Sequence, residues 1–210
     1  MDPKNFSSNS PGRILRTTKG FWVYIPKPLP PPIQWDTTLI SALGEAERSL
    51  GRLASLADTL PNPHILVRPF IRREAVLSSR IEGTRASLVD LYNYETAQLS
   101  YLEDIPDVRE VHNYVRAMDY GLERIKALPV SLRLIREIHA ILMESVRGEN
   151  LTPGEFRRSQ NWIGQPGSTI QSAIYIPPPV DEMHQALNDL EKFIHAPSDI
   201  PQIVRAGLIH

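Results

Sequence analysis

The sequence predicts a mainly α-helical fold that also carries a short β-hairpin. From residue 36 onwards, apolar residues recur every three or four positions, which is the period of a helix with one buried face. Glycine and proline interrupt this pattern at intervals and divide it into separate helices. Residues 149–179 lack the period and place short apolar runs among glycine, proline, asparagine and glutamine, which is typical of a loop with a small hairpin.

Residues 1–34 are predicted to form a proline-rich arm rather than a domain. The run from Pro26 to Pro32 favours extended polyproline geometry, and proline has no backbone N–H to donate to a sheet. The apolar stretch 21–25 just before this run is predicted to lie along the body as a strand or a staple. The alternative is a peptide ligand for the aromatic groove of a partner protein.

Seven helices are predicted in two regions, residues 35–104 and 105–210. The first follows Asp36 and ends before Pro61, and the others begin near residue 68, after Ser87, at 105–106, after Ser131, at Val180 and at 200–201. The buried side of the fourth helix is expected to include Leu122 and Ile125. The fifth helix is expected to end near Gly148.

The helical spacing continues to His210, the last residue, and no capping residue follows it. A helix that stops in this way leaves its apolar face and its last carbonyl groups uncovered. We therefore expect the parent protein to continue beyond His210.

The composition excludes several classes of function. The chain has no cysteine, so disulfides, thiol nucleophiles and cysteine-ligated zinc are excluded. A formal net charge of -1 gives no general attraction to nucleic acid or to an anionic membrane. No stretch approaches the roughly 20 apolar residues of a membrane span, and the N-terminus lacks the apolar core of a signal peptide. We expect a cytoplasmic protein.

The common motifs for phosphate, dinucleotide and metal binding are missing from the sequence. Its six histidines are scattered without the spacing of metal ligands, and each is expected to be a surface or core imidazole. No metal site is predicted in this chain.

The first candidate site is the end of the second helix, at Ser78, Glu82 and Gly83. Ser78 and Glu82 are four residues apart and share one helical face, while Gly83 can adopt the left-handed conformation that ends a helix. The C-terminal end of a helix is partly negative, so an unpaired carboxylate there costs about 0.3–1 kcal/mol. The simplest interpretation is a solvated glutamate at a frayed helix end, and the alternative is a carboxylate that pairs with a cation.

The second candidate site lies between Gly154 and Pro179. The apolar run at Ile174, Tyr175 and Ile176 is closed by three prolines, and it predicts a hairpin whose unpaired edge can bind an extended peptide by main-chain pairing. The alternative is a loop that covers the core with its aromatic residues packed inward. That alternative is the expectation for Phe156 and Trp162 individually.

Taken together, these segments resemble the Fic family. The segment from Glu74 to Thr84 is similar to the inhibitory helix of that family, Ser/Thr-x-x-x-Glu-Gly/Asn, and is followed in family order by segments 111–117, 154–164 and 174–179. The resemblance covers about residues 35–210. It implies a Fic-like helical bundle with an inhibitory helix at about residues 68–83 and a short β-hairpin flap at about residues 165–179.

The resemblance also implies an activity for the intact protein. Fic enzymes transfer AMP from ATP to a hydroxyl on a Tyr, Thr or Ser side chain of a target protein, with magnesium on the phosphates. The family's catalytic motif, His-x-Phe-x-Asp/Glu-Gly-Asn-Gly-Arg-x-x-Arg, is absent, so this chain is expected to contain no catalytic residue and to bind neither ATP nor magnesium tightly. His210 does not match the catalytic histidine, because no Phe or Gly-Asn-Gly follows it.

For the residues of this chain, the resemblance implies a regulatory and target-docking role. Glu82 would pair with the last arginine of the missing motif and obstruct the γ-phosphate of ATP, with Ser78 as a brace and Gly83 as the helix stop. Ile174, Tyr175 and Ile176 would dock the target protein.

Two other functions stay open at this stage. The chain could be a non-enzymatic helical module that masks a Fic core or another partner protein in trans. DNA binding ranks third, because Arg72-Arg73 and Arg157-Arg158 are short basic pairs, which more often form solvated faces than contacts with phosphates. Nucleic acid is otherwise expected as a partner only if a further C-terminal domain binds it. The resemblance leaves a homo-oligomer open, and no membrane partner is expected.

Overall fold

A computed structural model describes residues 1–6, 10–96 and 106–210 of the chain. These residues form two compact units, one of residues 1–48 with 157–210 and the other of residues 49–156. Seven α-helices, two short 3₁₀-helices and one two-stranded antiparallel sheet make up the regular structure of this described part. The predicted fold class, mainly α with a short hairpin, is confirmed. The hairpin, however, lies in residues 12–26, and the predicted flap at about residues 165–179 contains only one end of an isolated bridge, at Tyr175. The predicted boundary at residues 104–105 lies outside the described residues.

Helix α1 (Thr37–Asp58) begins at the predicted position. The carboxylate of Asp36 accepts a hydrogen bond of 2.8 Å from the N–H of Leu39, which satisfies one of the free donors of the first turn. None of the helix's residues is buried.

The unit of residues 49–156 is built around four further helices: α2 (His64–Ile81), α3 (Leu88–Thr96), α4 (Pro106–Arg124) and α5 (Leu132–Leu142). Helix α4 contacts all three of the others. The core of this unit consists of small and branched side chains that are almost fully buried, namely Ala75, Val76, Ala86, Leu91, Val108, Val111 and Val115.

Helices α2 and α5 differ in extent from the prediction. Helix α2 begins at His64 rather than near residue 68, and it contains Pro69, which removes one N–H donor and crowds the carbonyl four residues earlier. Helix α5 ends at Leu142, before the predicted end near Gly148. The reason is Asn113 on α4, whose Nδ2 donates to the carbonyls of Leu142 (3.3 Å) and Glu144 (2.7 Å) and so takes up groups that a longer helix would need.

The predicted burial of Leu122 and Ile125 is wrong. Their exposed fractions are 45% and 46%, because they line an open apolar groove between α4 and α5 with a volume of about 370 Å³. The two helices approach closely at Gly121, where a Cβ would lie 3.0 Å from Ile138 Cδ1. The groove begins beside that contact.

The other unit contains the sheet, two complete helices and the first part of α1. Strands β1 (Gly12–Arg16) and β2 (Trp22–Pro26) pair antiparallel from Gly12 opposite Pro26 to Arg16 opposite Trp22. Between them, the N–H of Gly20 donates to Thr17 O with Gly20 at φ 89°, a conformation that suits glycine. The apolar stretch 21–25 therefore forms a strand, as predicted.

Helices α6 (Val180–His195) and α7 (Gln202–Ile209) are joined by Arg205. This side chain donates to the carbonyls of Ile194 (3.0 Å) and Ala196 (2.7 Å) at the end of α6 and lies 5.3 Å from the centroid of the Phe193 ring. A cation at a helix C-terminus is favourable because the last carbonyls carry partial negative charge. No helix among the described residues has the length and apolar character needed to cross a bilayer.

Asn113 is expected to be important for stability because it is only 2% exposed and bonds two carbonyls at the end of α5. Replacing it in Asn113→Ala leaves these carbonyls without their partner. We expect the free energy of unfolding to fall by about 1–3 kcal/mol, measured by urea denaturation. The control Glu123→Ala, which removes one member of an exposed pair with Lys126, should change it by less than about 0.5 kcal/mol. Equal losses in both variants would contradict this role.

Glu137 on α5 makes the stability depend on pH. Its carboxylate accepts hydrogen bonds from Arg124 (3.0 Å), Tyr120 (2.8 Å) and Arg133 (2.8 Å), which lower its pKa from 4.5 to about 2. Because the folded pKa is depressed, the stabilisation is present above pH 4.5 and is lost as the pH falls towards 2. In Glu137→Gln, we expect lower stability at neutral pH and a smaller loss between these values, measured by thermal melts across the pH range. Glu149→Gln is the control, and parallel curves for wild type and Glu137→Gln would rule the effect out.

Candidate functional site

The end of helix α2 is a left-handed turn closed by two main-chain hydrogen bonds. Gly83 has φ 99°, so it adopts the predicted left-handed conformation. The N–H of Thr84 donates to Ser79 O (3.1 Å), and the N–H of Gly83 donates to Arg80 O (3.0 Å). This is the Schellman pattern, in which a glycine reverses the chain while the last carbonyls of the helix are still satisfied. The turn fixes the position of Glu82, the residue before the glycine.

The side chain of Glu82 is exposed and has no hydrogen-bond or ion-pair partner among the described residues. Glu82 is the C-cap residue of α2, where its backbone N–H donates to Ser79 O. Its carboxylate therefore lies next to the partly negative end of the helix, without a cation from this part of the chain to offset the repulsion.

Glu82 lines a cavity of about 490 Å³ within the unit of residues 49–156. The wall nearest in sequence is the end of α2, with Ser78, Ser79 and Thr84, and the opposite wall comes from α4 and the segment after α5. Two of the three predicted residues, Ser78 and Glu82, are thus brought together at one cavity. The sequence did not indicate the residues of the opposite wall, which include Glu110 and Arg147.

Arg147 is already paired within this cavity. Its Nε lies 2.6 Å from Glu110 Oε1 and its Nη2 lies 2.9 Å from Glu110 Oε2, a two-pronged arrangement, and Asp107 Oδ1 is 4.0 Å away. The hydrogen bond and charge of Glu110 raise the pKa of Arg147. Because both prongs face Glu110, Arg147 does not serve as the cation of Glu82 in this conformation.

Thr84 is a polar residue of the site that the sequence analysis did not single out. It is 3% exposed, it lines the cavity, and its Oγ1 has no hydrogen-bond partner among the described residues. A buried hydroxyl without a partner costs roughly 1–3 kcal/mol relative to a satisfied one. The sequence signal that could have identified Thr84 is its position directly after Gly83, because the residue that follows a helix-ending glycine turns back towards the helix.

The side chain of Ser78 makes its hydrogen bond with Glu74 and not with Glu82. Its Oγ donates to Glu74 Oε1 at 2.7 Å, one turn earlier on α2. This hydrogen bond joins Ser78 to Glu74 on the surface of α2. Ser78 also lines the cavity.

The second candidate site, which belongs to the other unit, is a short strand-like segment at residues 173–176. Tyr175 forms an isolated antiparallel bridge with Ile163, in which the N–H of Ile163 donates to Tyr175 O (2.8 Å) and the N–H of Tyr175 donates to Ile163 O (3.1 Å). The prolines that follow are fixed by Gln160, which donates to Pro177 O (3.0 Å), and by Arg157, which donates to Pro178 O. Burial lowers the pKa of Arg157.

The three residues predicted to dock a target differ in exposure. Ile174 is 63% exposed, Tyr175 is half-buried, and Ile176 is fully buried. Trp162, for which inward packing was expected, is 41% exposed, so that expectation is wrong. Ile174 on this segment and the neighbouring Trp162 and Ile163 present exposed apolar side chains.

The N-terminal hairpin lies against this segment. The N–H of Tyr24 on β2 donates to Ile176 O at 2.9 Å, and the N-terminal ammonium of Met1 donates to Ala173 O. Val23 and Ile25 share a buried cluster with Ala173 and Ile176. The sequence predicted a strand at residues 21–25 but not its contact with residues 173–176.

The described residues contain no cluster of three or more His, Asp or Glu side chains that could hold a metal ion. Glu82 and Glu110 line one cavity, but the charge of Glu110 is already used by Arg147.

The basic pairs considered for DNA binding are partly used within the chain. Arg72 forms an ion pair of 2.7 Å with Glu95, and Arg157 donates to the carbonyls of Ser159 and Pro178. Arginines held in this way are poorly placed to contact phosphates, so no observation favours nucleic-acid binding.

Comparison with known proteins supports the resemblance seen in the sequence. Curated protein sequences gave no match to the chain. Residues 40–123, which include α2 with Ser78 and Glu82, match the family model described as Fic/DOC family N-terminal. This match supports membership of the Fic/DOC family.

Proposed function

We propose that this chain is the regulatory and target-docking portion of a protein adenylyltransferase that transfers AMP from ATP to a hydroxyl side chain of a protein, and that Glu82 inhibits the transfer. The observation that carries the proposal is the carboxylate of Glu82, which is exposed and has no partner among the described residues. The match of residues 40–123 to the Fic/DOC N-terminal family model supports it.

The helix end explains why Glu82 favours binding a cation. An unpaired carboxylate beside the last carbonyls of α2 is disfavoured by about 0.3–1 kcal/mol, and a guanidinium would remove that repulsion. Arg147 does not fill this role, since Glu110 holds it with two hydrogen bonds. The proposed partner is the last arginine of the Fic motif in the intact protein.

Inhibition then follows from competition for one cation. An arginine that is paired with Glu82 is not available to the γ-phosphate of ATP, so ATP does not bind in a productive position until α2 moves or the carboxylate is removed. The turn at Gly83 gives α2 a defined end, which holds Glu82 at a fixed place relative to the cavity.

The segment at residues 173–176 is the proposed docking surface for the target protein. Ile174 is exposed, and a target segment in extended conformation would pair with the main chain next to it. The hydroxyl of a Tyr, Thr or Ser side chain on that segment would then be the acceptor of AMP.

Glu82→Gly in the full-length product of the gene is expected to increase AMP transfer by about tenfold or more. The physical reason is the loss of a charge-assisted contact worth roughly 1.5–3 kcal/mol, which frees the motif arginine for phosphate. The measurement is incorporation of label from α-³²P-ATP into protein.

Two further variants control this experiment. Glu82→Gln removes the charge without adding glycine to the helix end, and it should activate as well. Glu47→Gln removes an exposed carboxylate on α1 and should have no effect. If Glu82→Gly and Glu82→Gln both label no more than wild type while their circular dichroism is unchanged, Glu82 is not an inhibitor.

The apolar groove between α4 and α5 favours a second candidate function, the masking of a separate Fic core or another protein in trans. Its lining is almost entirely apolar, including Ala117, Leu122, Leu134 and Ile138. A partner helix that presents an apolar face would cover this groove.

Leu122→Glu discriminates between the two functions. Leu122 is 45% exposed at the groove, so the variant should fold but should not accept an apolar helix. If masking in trans is correct, wild-type chain added to a separately produced Fic catalytic segment inhibits AMP transfer, and Leu122→Glu weakens the inhibition by about tenfold or more. Sequencing the DNA after the His210 codon separates the cases independently, because a Fic motif there favours the first function and a stop codon favours the second.

A further inference from the structure

We propose that the N-terminal hairpin β1–β2 occupies the docking edge of the segment at residues 173–176, so that a target protein has to displace it before its hydroxyl can be modified. This inference rests on the proposed function, in which that segment docks an extended part of the target. It adds a second level of regulation that is separate from Glu82.

The first argument concerns the main-chain groups of the segment. Tyr175 uses its N–H and carbonyl on Ile163, on one edge. The N–H of Ile174 donates to the same carbonyl, Ile163 O, at 2.8 Å, so these two residues do not alternate as in a regular strand, and the second edge is identified by its own partner at Ile176. There the carbonyl of Ile176 accepts from Tyr24 N at 2.9 Å. Both edges at Tyr175 and Ile176 are therefore occupied.

The second argument concerns the side chains. Val23 and Ile176 are 0% exposed, and Ala173 is 3% exposed, because the hairpin and the segment bury each other. The ring of Tyr24 lies 6.1 Å from the ring of Tyr175 and 5.5 Å from that of Phe6. An incoming strand at this edge would meet the side chains of β2 before it reached the main chain.

Of the two neighbours of this segment, the hairpin and Ile163, the hairpin can be displaced with the smaller loss of main-chain hydrogen bonds. Strands β1 and β2 pair with each other at five positions, and this ladder is kept when the hairpin moves as a unit. Ile163 is held more tightly, since it makes three main-chain hydrogen bonds to Ile174 and Tyr175, of 2.8, 2.8 and 3.1 Å, whereas β2 makes one to Ile176. Displacement of the hairpin exposes the apolar patch around Ile176, which the target strand then covers.

Only molecules whose docking edge is free can bind the target. The apparent affinity for the target is therefore the intrinsic affinity multiplied by the fraction of such molecules. A minor state of this kind is populated at roughly 0.1–10%, so releasing the hairpin strengthens target binding by about tenfold or more. ATP binding is not affected by this equilibrium.

Hydrogen exchange on this chain tests the docked hairpin without reference to any activity. The amide of Tyr24 points away from β1 and donates to Ile176 O, so its protection reports docking and not the hairpin ladder. We expect this amide to be protected in the wild type and to exchange about tenfold faster or more in Val23→Asp. Lys19→Ala, in the exposed turn of the hairpin, should match the wild type. If Val23→Asp does not fold, the protection of the Tyr24 amide in the wild type decides whether the hairpin is docked. A Tyr24 amide that exchanges as fast as the exposed Lys19 amide overturns the proposal.

AMP transfer tests the competition itself. In the full-length Glu82→Gly protein, with the proteins of a cell lysate as acceptors, adding Val23→Asp should raise the labelling rate about tenfold at low acceptor concentration, with an unchanged KM for ATP. An unchanged rate shows that the docked hairpin does not compete with targets. If Glu82→Gly itself gives no labelling, the proposed enzymatic function fails, while the exchange result still decides whether the hairpin is docked.

Discussion

The packing of helix α4 is the constraint on which the unit of residues 49–156 depends. Its valines fill the core against α2 and α3, while Asn113 on the same helix binds the carbonyls that end α5. The end of α5 in turn leads into the segment that carries Arg147. One helix thus places both walls of the cavity, with Glu110 on itself, Glu82 on α2 and Arg147 after α5. A change in how α4 packs would alter the site as well as the stability.

The carboxylates of this unit show how neighbouring donors decide their behaviour. Glu137 is surrounded by three donors, which lower its pKa to about 2, and Glu110 binds both prongs of Arg147. Glu82 has no donor among the described residues, although it lies at the end of a helix where a negative charge is least stable. The contrast distinguishes a carboxylate that contributes to the fold from one that is available for a partner.

The sequence predicted most helices because periodicity and capping are local properties. Asp36, Ser87 and Gly83 mark the ends of helices where the structure has them, and α6 spans the predicted residues. The early end of α5 could not be predicted, since it depends on a side chain 29 residues away along the chain. Strand β1 was missed because its five residues, Gly12–Arg16, show no alternation of apolar and polar side chains.

The candidate sites were predictable only in part, for the same reason. Ser78, Glu82 and Gly83 are close in sequence, so their spacing showed that they share one end of a helix. Arg147 and Glu110 enter the same cavity through tertiary packing, and no motif linked them to it. The contact between Tyr24 and Ile176 joins residues that are 152 positions apart (176 − 24), which sequence patterns do not connect.

The buried hydroxyl of Thr84, which has no hydrogen-bond partner among the described residues, gives the end of α2 a thermodynamic bias. Valine has nearly the same shape and would fill this position without a polar atom to desolvate, so the threonine makes the present conformation less stable than its packing allows. Any rearrangement that offers this hydroxyl a partner recovers part of that free energy. Where movement of the end of α2 gives Thr84 such a partner, the energy needed for that movement is correspondingly smaller.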